Sequence, residues 1–357
     1  MFQSFTIKNF RCFRELTLAP LERINLIAGK NNTGKTALLE AIHLHCHPND
    51  CNLPLDINKD RGIEEPVKDL WKVAGWLFHD QSSGKDFELS SRDEHGAERT
   101  LKVRLTDRLD AAEILSERER LELATHAPYF LNHAPYLVLG YQKGGEGWVH
   151  SIAAPSSPGV GLMSVSARAA ESIPCRFLSV SSSAVSSDVE NFGSLEAAKR
   201  QGEILPALQL LEPRLQRLSL VPFAGKPVIH GDLQGIDRLI PMPLMGEGVR
   251  RVMSIVLSIA TVPSGVLLLD EVETGLHHSV MVQVWQAIAE AARRADVQVF
   301  ATTHSYECIQ AAQQAFQAQE SPGLRLFRLD WIGDEIRVAV YKQEILNFAI
   351  EMTHEVR

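Results

Sequence analysis

Gly29-Lys30-Asn31-Asn32-Thr33-Gly34-Lys35-Thr36 follows the apolar run Ile24 to Ala28 and precedes a helical pattern from Thr36 to His45. The octet satisfies G-x-x-x-x-G-K-[ST] in the strand–loop–helix context that gives the motif its meaning. Its glycines let the backbone wrap so that N–H groups face phosphate oxygens, and the helix start adds partial positive charge. Lys35 is expected to reach the β and γ phosphates of a nucleotide, and the Thr36 hydroxyl to ligate Mg²⁺. Gly29, Asn31, Asn32, Thr33, Gly34, Lys35, Thr36 and Ala37 are thus the expected nucleotide-binding stretch. Pro48 follows the helix end.

Far along the chain a second apolar strand, Leu267-Leu268-Leu269, ends in Asp270-Glu271. Ligands bind at the carboxyl ends of strands in open α/β sheets. Asp270 is placed to hold Mg²⁺, and Glu271 to polarise a water for in-line attack on a γ-phosphate. A third strand, Val297 to Thr302, ends at Thr303-His304-Ser305, where the imidazole can meet the γ-phosphate or the attacking water. Continuous apolar runs of this kind fit a parallel sheet covered on both faces.

Between these ends the pattern is less regular. Phe2, Phe5, Ile7, Leu16 and Leu18 read as alternating strands. Residues 48 to 66, broken by Pro48, Pro54 and Pro66, read as a surface loop, and Val67 to Phe78 as a helix. Asp86 to Ser91 and Arg99 to Leu105 read as a hairpin, followed by a charged helical stretch, Asp107 to Thr125, of about five turns. Leu195 to Leu211 is helical in period with a break at Pro206. The boundaries predicted are 1–106 for the N-terminal part of a head carrying the phosphate loop, 107–235 for an α/β insertion, and 236–357 for the C-terminal part.

Composition narrows the class. The chain has 357 residues, 45% of them hydrophobic and 22% charged, which excludes disorder and fibrous repeats. A net charge of −8 excludes a wholly basic nucleic-acid coat but not a local patch. No run reaches the roughly 18 to 20 apolar residues of a membrane span. The start lacks a secretory core, and five scattered cysteines fit reduced thiols, so a cytoplasmic location is expected. His43 and His47 share a helix face as a zinc-compatible pair. No second pair at matching spacing accompanies them, so no metal site is expected there.

Taken in order, Gly29 to Thr36, Leu244-Met245-Gly246-Glu247-Gly248-Val249-Arg250-Arg251, Leu267 to Glu271, Glu273-Thr274-Gly275-Leu276-His277 and His304 resemble an ABC-type ATPase. The opening Ile7-Lys8-Asn9-Phe10-Arg11-Cys12-Phe13 and the Gly-Glu-Gly-x-x-Arg signature resemble its RecF/SMC-like branch, most nearly the AAA-type ATPases related to the OLD (overcoming lysogenisation defect) proteins. The resemblance covers residues 1 to 45 and 236 to 310 well. It implies an α/β P-loop head with a mixed sheet flanked by helices, an N-terminal antiparallel β portion and a central α/β insertion. It also implies ATP and Mg²⁺ as ligands and a homodimer of heads with ATP sandwiched between them. Lys35 of one subunit would then face Gly246, Glu247, Gly248 and Arg250 of the other.

Met245 stands where the wider ABC signature has serine, so Arg250 or Arg251 is expected to supply the missing contact. Arg11 resembles an arginine near the nucleotide, and Gln81 is the candidate for the metal-contacting glutamine. No strand set with acidic ends follows His304, so the resemblance is to the ATPase half without a Toprim nuclease. The implied role is DNA-related, in phage defence or repair, with a separately encoded nuclease or toxin as effector. The alternative is an ATP-binding regulatory or scaffolding protein with negligible hydrolysis.

Overall fold

The computed structural model describes residues 1–63, 70–82, 84–109, 135–155, 162–166, 169–179, 184–317 and 323–351. Most of the helical stretch expected at 107–125 lies outside them.

Two sheets sandwich the phosphate-loop helix. The central sheet is built from β3 (Ile24–Gly29), β9 (Cys175–Leu178), β13 (Val266–Leu269), β14 (Gln298–Thr303), β15 (Leu324–Ile332) and β16 (Glu335–Tyr341). Its strand order is β16-β15-β3-β14-β13-β9, parallel except for the β16 edge. Every residue of β3, β13 and β14 is buried, as the unbroken apolar runs require of strands covered on both faces. Side chains alternate between two cores. Leu267, Leu269, Val299 and Ala301 face one, while Leu268 and Phe300 face the other.

The second core lies between this sheet and an antiparallel one. That sheet contains β1 (Phe2–Phe10), β2 (Phe13–Leu18), β4 (Phe87–Asp93), β5 (Glu98–Thr106), β6 (Tyr136–Lys143), β7 (Val149–Pro155) and β8 (Leu162–Ser166), in the order β2-β1-β4-β5-β6-β7-β8. Helix α1 (Lys35–Cys46) runs between the layers, with Leu38, Leu39 and Ile42 packed beside Phe5, Ile7 and Leu89. On the other face of the central sheet lie α4 (Ala184–Ala197), α6 (Glu247–Thr261), α7 (Met281–Ala295) and α8 (Tyr306–Gln317). A small sheet of β10 (Leu215–Phe223), β11 (Lys226–Leu233) and β12 (Ile240–Pro241) contributes Leu215, Leu218 and Ile229 to the same core.

This architecture carries the expected α/β head and antiparallel portion, with several differences in the middle. The antiparallel sheet does not stop at residue 106, because β6 pairs with β5 along its whole length. The expected boundary at 106/107 therefore falls within one sheet, and β9, also assigned to the insertion, is an edge of the central sheet. Residues 53–60 form a helix, α2 (Leu53–Asp60), rather than a loop. Pro54 sits in its first turn, where a missing N–H costs no internal bond. Of the helix expected over 67–78, the described residues 70–78 form α3 (Leu70–Ala74) followed by a 3₁₀ turn, and residues 64–69 lie outside the described ones. The helix expected over 195–211 instead divides into α4 and a short α5 (Leu205–Gln209), with Pro206 in the first turn of α5. The structure also adds α9 (Gln343–Glu351) after the β15–β16 meander.

One polar side chain joins the sheets. Gln298, 1% exposed at the start of β14, accepts from Phe2 N at 2.9 Å and donates to Phe2 O and Glu22 O, each at 2.9 Å. Gln298→Ala should orphan three backbone groups and destabilise the protein by about 2 to 4 kcal/mol. The shift in urea midpoint measures this, and a loss below about 0.5 kcal/mol would contradict the role given to Gln298.

Candidate functional site

Between β3 and α1 the chain must reverse within five residues, and two glycines make this possible. Gly29 has φ +147° and Gly34 φ +85°. A Cβ on Gly29 would lie 2.6 Å from Leu329 O, and one on Gly34 would lie 2.6 Å from both Cys12 Sγ and Phe13 Cζ. The loop is thus clamped between the β1–β2 turn and β15, which no larger residue permits.

Inside the loop the Lys35 ammonium folds back to donate to Gly29 O at 2.7 Å and Lys30 O at 2.9 Å. Burial lowers its pKa, opposed by the negative charges of Glu271, Asp270 and Glu273. Thr33 Oγ1 closes the turn by donating to Lys30 O at 2.8 Å.

The carboxylate expected from the far end of the sequence meets this loop directly. Thr36 Oγ1 lies 3.0 and 3.2 Å from the two Asp270 oxygens, and Asp270 is only 8% exposed. The register explains the meeting. β3 and β13 both flank β14 in parallel, so their carboxyl ends emerge on one edge of the sheet. Thr302 at the end of β14 ties the pair. Its hydroxyl donates to Asp270 Oδ1 at 2.6 Å and accepts from Glu271 N at 2.8 Å. Glu271 takes a left-handed conformation, φ 45°.

An open cleft of about 700 Å³ brings together Asn31, Asn32, Gly34, Lys35, Thr36, Ala37, Asp270 and Glu271, with Arg11 and Gln81 on its walls. Gln81 stands in a strained turn, with φ 52° at both Asp80 and Gln81. Arg11 borders the cleft, but its guanidinium is engaged. Nε lies 2.7 Å from Glu40 Oε2 without hydrogen-bond alignment, and Nη2 donates to Asn58 at 3.0 Å. Arg61 Nε donates to the other Glu40 oxygen at 2.7 Å. Burial pushes the Glu40 carboxyl up, against the pull of Arg11 and Arg61.

His304 stands beside the cleft rather than in its wall. Its Nδ1 lies 3.5 Å from Glu271 Oε1 and 3.4 Å from Glu273 Oε1, and its backbone N–H donates to Glu273 at 2.9 Å. The segment Gly246, Glu247, Gly248 and Arg250 is not among the residues that line the cleft. It starts α6, with Gly246 at φ 98° and Arg250 paired to Glu247. Arg251, half-buried, directs Nη2 towards Asp270 O at 3.5 Å.

Three residues escaped sequence reasoning. Thr302 orients Asp270 and Glu271, Glu40 restrains Arg11, and Trp76, 52% exposed, lines the cleft, while Glu273, already quoted in the resemblance, accepts from Thr303 Oγ1 and His304 N. The run Thr302-Thr303 at a strand end was the available signal for the first of these.

The donor set fits magnesium. A hydroxyl and a carboxylate, both hard oxygen donors, stand together on a rigid strand–helix junction, and the amide of Gln81 shares the cleft.

Comparison with known proteins agrees with this geometry. A family model described as "AAA ATPase domain" matches residues 1–95, and one described as "AAA domain, putative AbiEii toxin, Type IV TA system" matches residues 174–309. An ATP/GTP phosphatase of Helicobacter pylori is 21% identical over 345 residues, 90% of each chain. A DNA replication and repair protein RecF of Idiomarina loihiensis is 48% identical over 42 residues, 12% of each chain. Among solved structures, the Pyrococcus furiosus Smc head domain with an extended coiled coil, bound to the C-terminal domain of ScpA, superposes with a TM-score of 0.50 at 10% identity over 99% of each chain. That likeness concerns the fold alone. No helix among the described residues is long and apolar enough to cross a membrane. With the phosphate loop and the Asp-Glu strand end drawn from distant parts of the sequence into one cleft, the chain is similar to ABC-type P-loop ATPases of the RecF/SMC type.

Proposed function

We propose that the protein is a Mg²⁺-dependent ATP hydrolase that works as a nucleotide-gated dimeric switch. The observation that carries the reading is the contact of Thr36 with Asp270 beside Glu271, at the mouth of the Lys35 loop. Thr36 and Asp270 would hold Mg²⁺, with Gln81 as a further candidate donor in the same cleft. When bound, the ion would neutralise charge on the β and γ oxygens. The loop N–H groups and Lys35 bind and orient the phosphates, and Lys35 exchanges its two carbonyl partners for phosphate oxygen. Glu271 accepts a proton from the water whose oxygen attacks the γ-phosphorus, while the bridging oxygen leaves with ADP. His304, in contact with Glu271, orients that carboxylate and senses the γ-phosphate.

The dimer reading rests on the signature segment. Gly246 to Arg250 opens a 15-residue helix whose N-terminus suits an anion, yet it lies outside this subunit's own cleft. A second copy, placed head to tail, would bring its Gly246, Gly248 and Arg250 to the γ-phosphate, with ATP sandwiched between the subunits. The RecF likeness and the toxin–antitoxin description of the matched family support a role in DNA repair or phage defence with a separate effector.

Lys35→Ala should abolish measurable ATP affinity in a calorimetric titration, since removing the cation from a buried charged contact costs about 2 to 5 kcal/mol. Glu271→Gln should retain binding but lower phosphate release by about 10² to 10⁴-fold. Parental turnover in that variant would assign the base elsewhere.

In the Glu271→Gln background, Mg-ATP should drive dimerisation, seen by sedimentation, and Gly248→Asp should prevent it. A Cβ on Gly248 meets nothing nearer than Leu276 at 3.7 Å, so this change leaves the single subunit and its ATP affinity intact. A double variant that still dimerises would remove the signature from the mechanism.

A further inference from the structure

The His43–His47 pair acquires in the fold the partner that sequence spacing does not reveal. Cys175 begins β9, which runs beside α1. One ring nitrogen of each histidine and the Cys175 sulfur lie within 4.8 Å of one another, all three side chains half-buried. We propose that His43, His47 and Cys175 form a zinc-binding site, separate from the nucleotide cleft.

The hydrogen bonding favours ligation. His47 Nδ1 lies 3.0 Å from the His43 carbonyl, which can only accept, so the ring proton sits on Nδ1 and Nε2 keeps its lone pair. Backbone carbonyls commonly fix metal-binding imidazoles in this way. His43 Nδ1 is buried and without a partner among the described residues, a cost that a bound ion on the ring would offset. The two rings meet edge to face, with centroids 4.9 Å apart at 88°.

Two imidazoles and a thiol are borderline-soft donors that select zinc over magnesium or calcium. Tetrahedral zinc needs ligand atoms roughly 3.3 to 3.7 Å apart, within reach of small side-chain rotations from the present spacing. These three ligands leave the fourth position of a tetrahedral site to water. The site lies at the carboxyl end of α1, where the helix dipole favours a cation.

A bound ion would tie the entry of β9 to the end of the helix whose start carries Lys35 and Thr36. The same junction is already pinned by Ile173 N donating to Cys46 O at 2.9 Å. The role is therefore structural, since neither histidine nor Cys175 lines the cleft.

The test uses the full chain without an affinity tag, stripped with chelator and titrated with Co²⁺ and then Zn²⁺. One Co²⁺ per chain should bind with the visible bands of four-coordinate cobalt and a near-ultraviolet thiolate-to-cobalt band, both erased by Zn²⁺. Cys175→Ala should lose the thiolate band, and His43→Ala with His47→Ala should weaken zinc binding by about tenfold or more. ATP binding at the separate cleft reports whether each variant is folded. Absence of saturable Co²⁺ binding in the parent protein, or a thiolate band that survives in a folded Cys175→Ala variant, would overturn the site.

Discussion

The Asp270 carboxylate is the contact on which the head depends. It accepts hydroxyl protons from Thr36, at the start of the first long helix, and from Thr302, at the end of a strand more than 250 residues later. A nearly buried carboxylate without such donors would be strongly disfavoured. With them it fixes the relative positions of three strand ends. The phosphate loop, the acidic strand end and the segment leading to His304 then share one edge of the sheet. The same Thr302 hydroxyl accepts from Glu271 N, so the backbone position of Glu271 is tied to the arrangement that joins Thr36 to Asp270.

Around this contact the structure spends its buried polar groups on joints rather than within layers. Gln298 connects the antiparallel and parallel sheets through backbone groups of Phe2 and Glu22. Glu40, on the loop helix, gathers Arg11 from the β1–β2 turn and Arg61 from beyond α2. Each joint links segments distant in sequence; Glu40 lies on the loop helix, whereas Gln298 sits at the amino ends of the parallel strands, beside Phe2 and Glu22. A change at Glu40 would therefore reach the cleft through displacement of α1, without any contact to a phosphate.

The two segments that meet in the cleft were legible because each pattern is local. A glycine-framed loop between an apolar strand and a helix, and an apolar strand ending in Asp270-Glu271, are each complete within about ten residues. The fold class was legible for the same reason, since β3, β13 and β14 are unbroken apolar runs. Long-range pairing was not. Nothing local to Tyr136–Lys143 marks it as the neighbour of β5, so the antiparallel sheet was cut at residue 106. The helix α2 was hidden by prolines, although Pro54 occupies the first turn, where proline is tolerated. Arg11, expected near a nucleotide, lines the cleft, and its buried partner, Glu40, reads in sequence as an ordinary helix residue. Cys175 shows the same limit, being 128 residues beyond His47.

The central claim is that Thr36 and Asp270, from opposite ends of the chain, act as one metal-holding unit. The Mg²⁺ dependence of ATP hydrolysis in Thr36→Ala, Asp270→Asn and the double variant tests it most directly. If both residues serve one ion, each single change raises the Mg²⁺ requirement, and the double variant needs little more than the worse single one. Independent, additive losses would show that the two residues do not share an ion and would contradict the account.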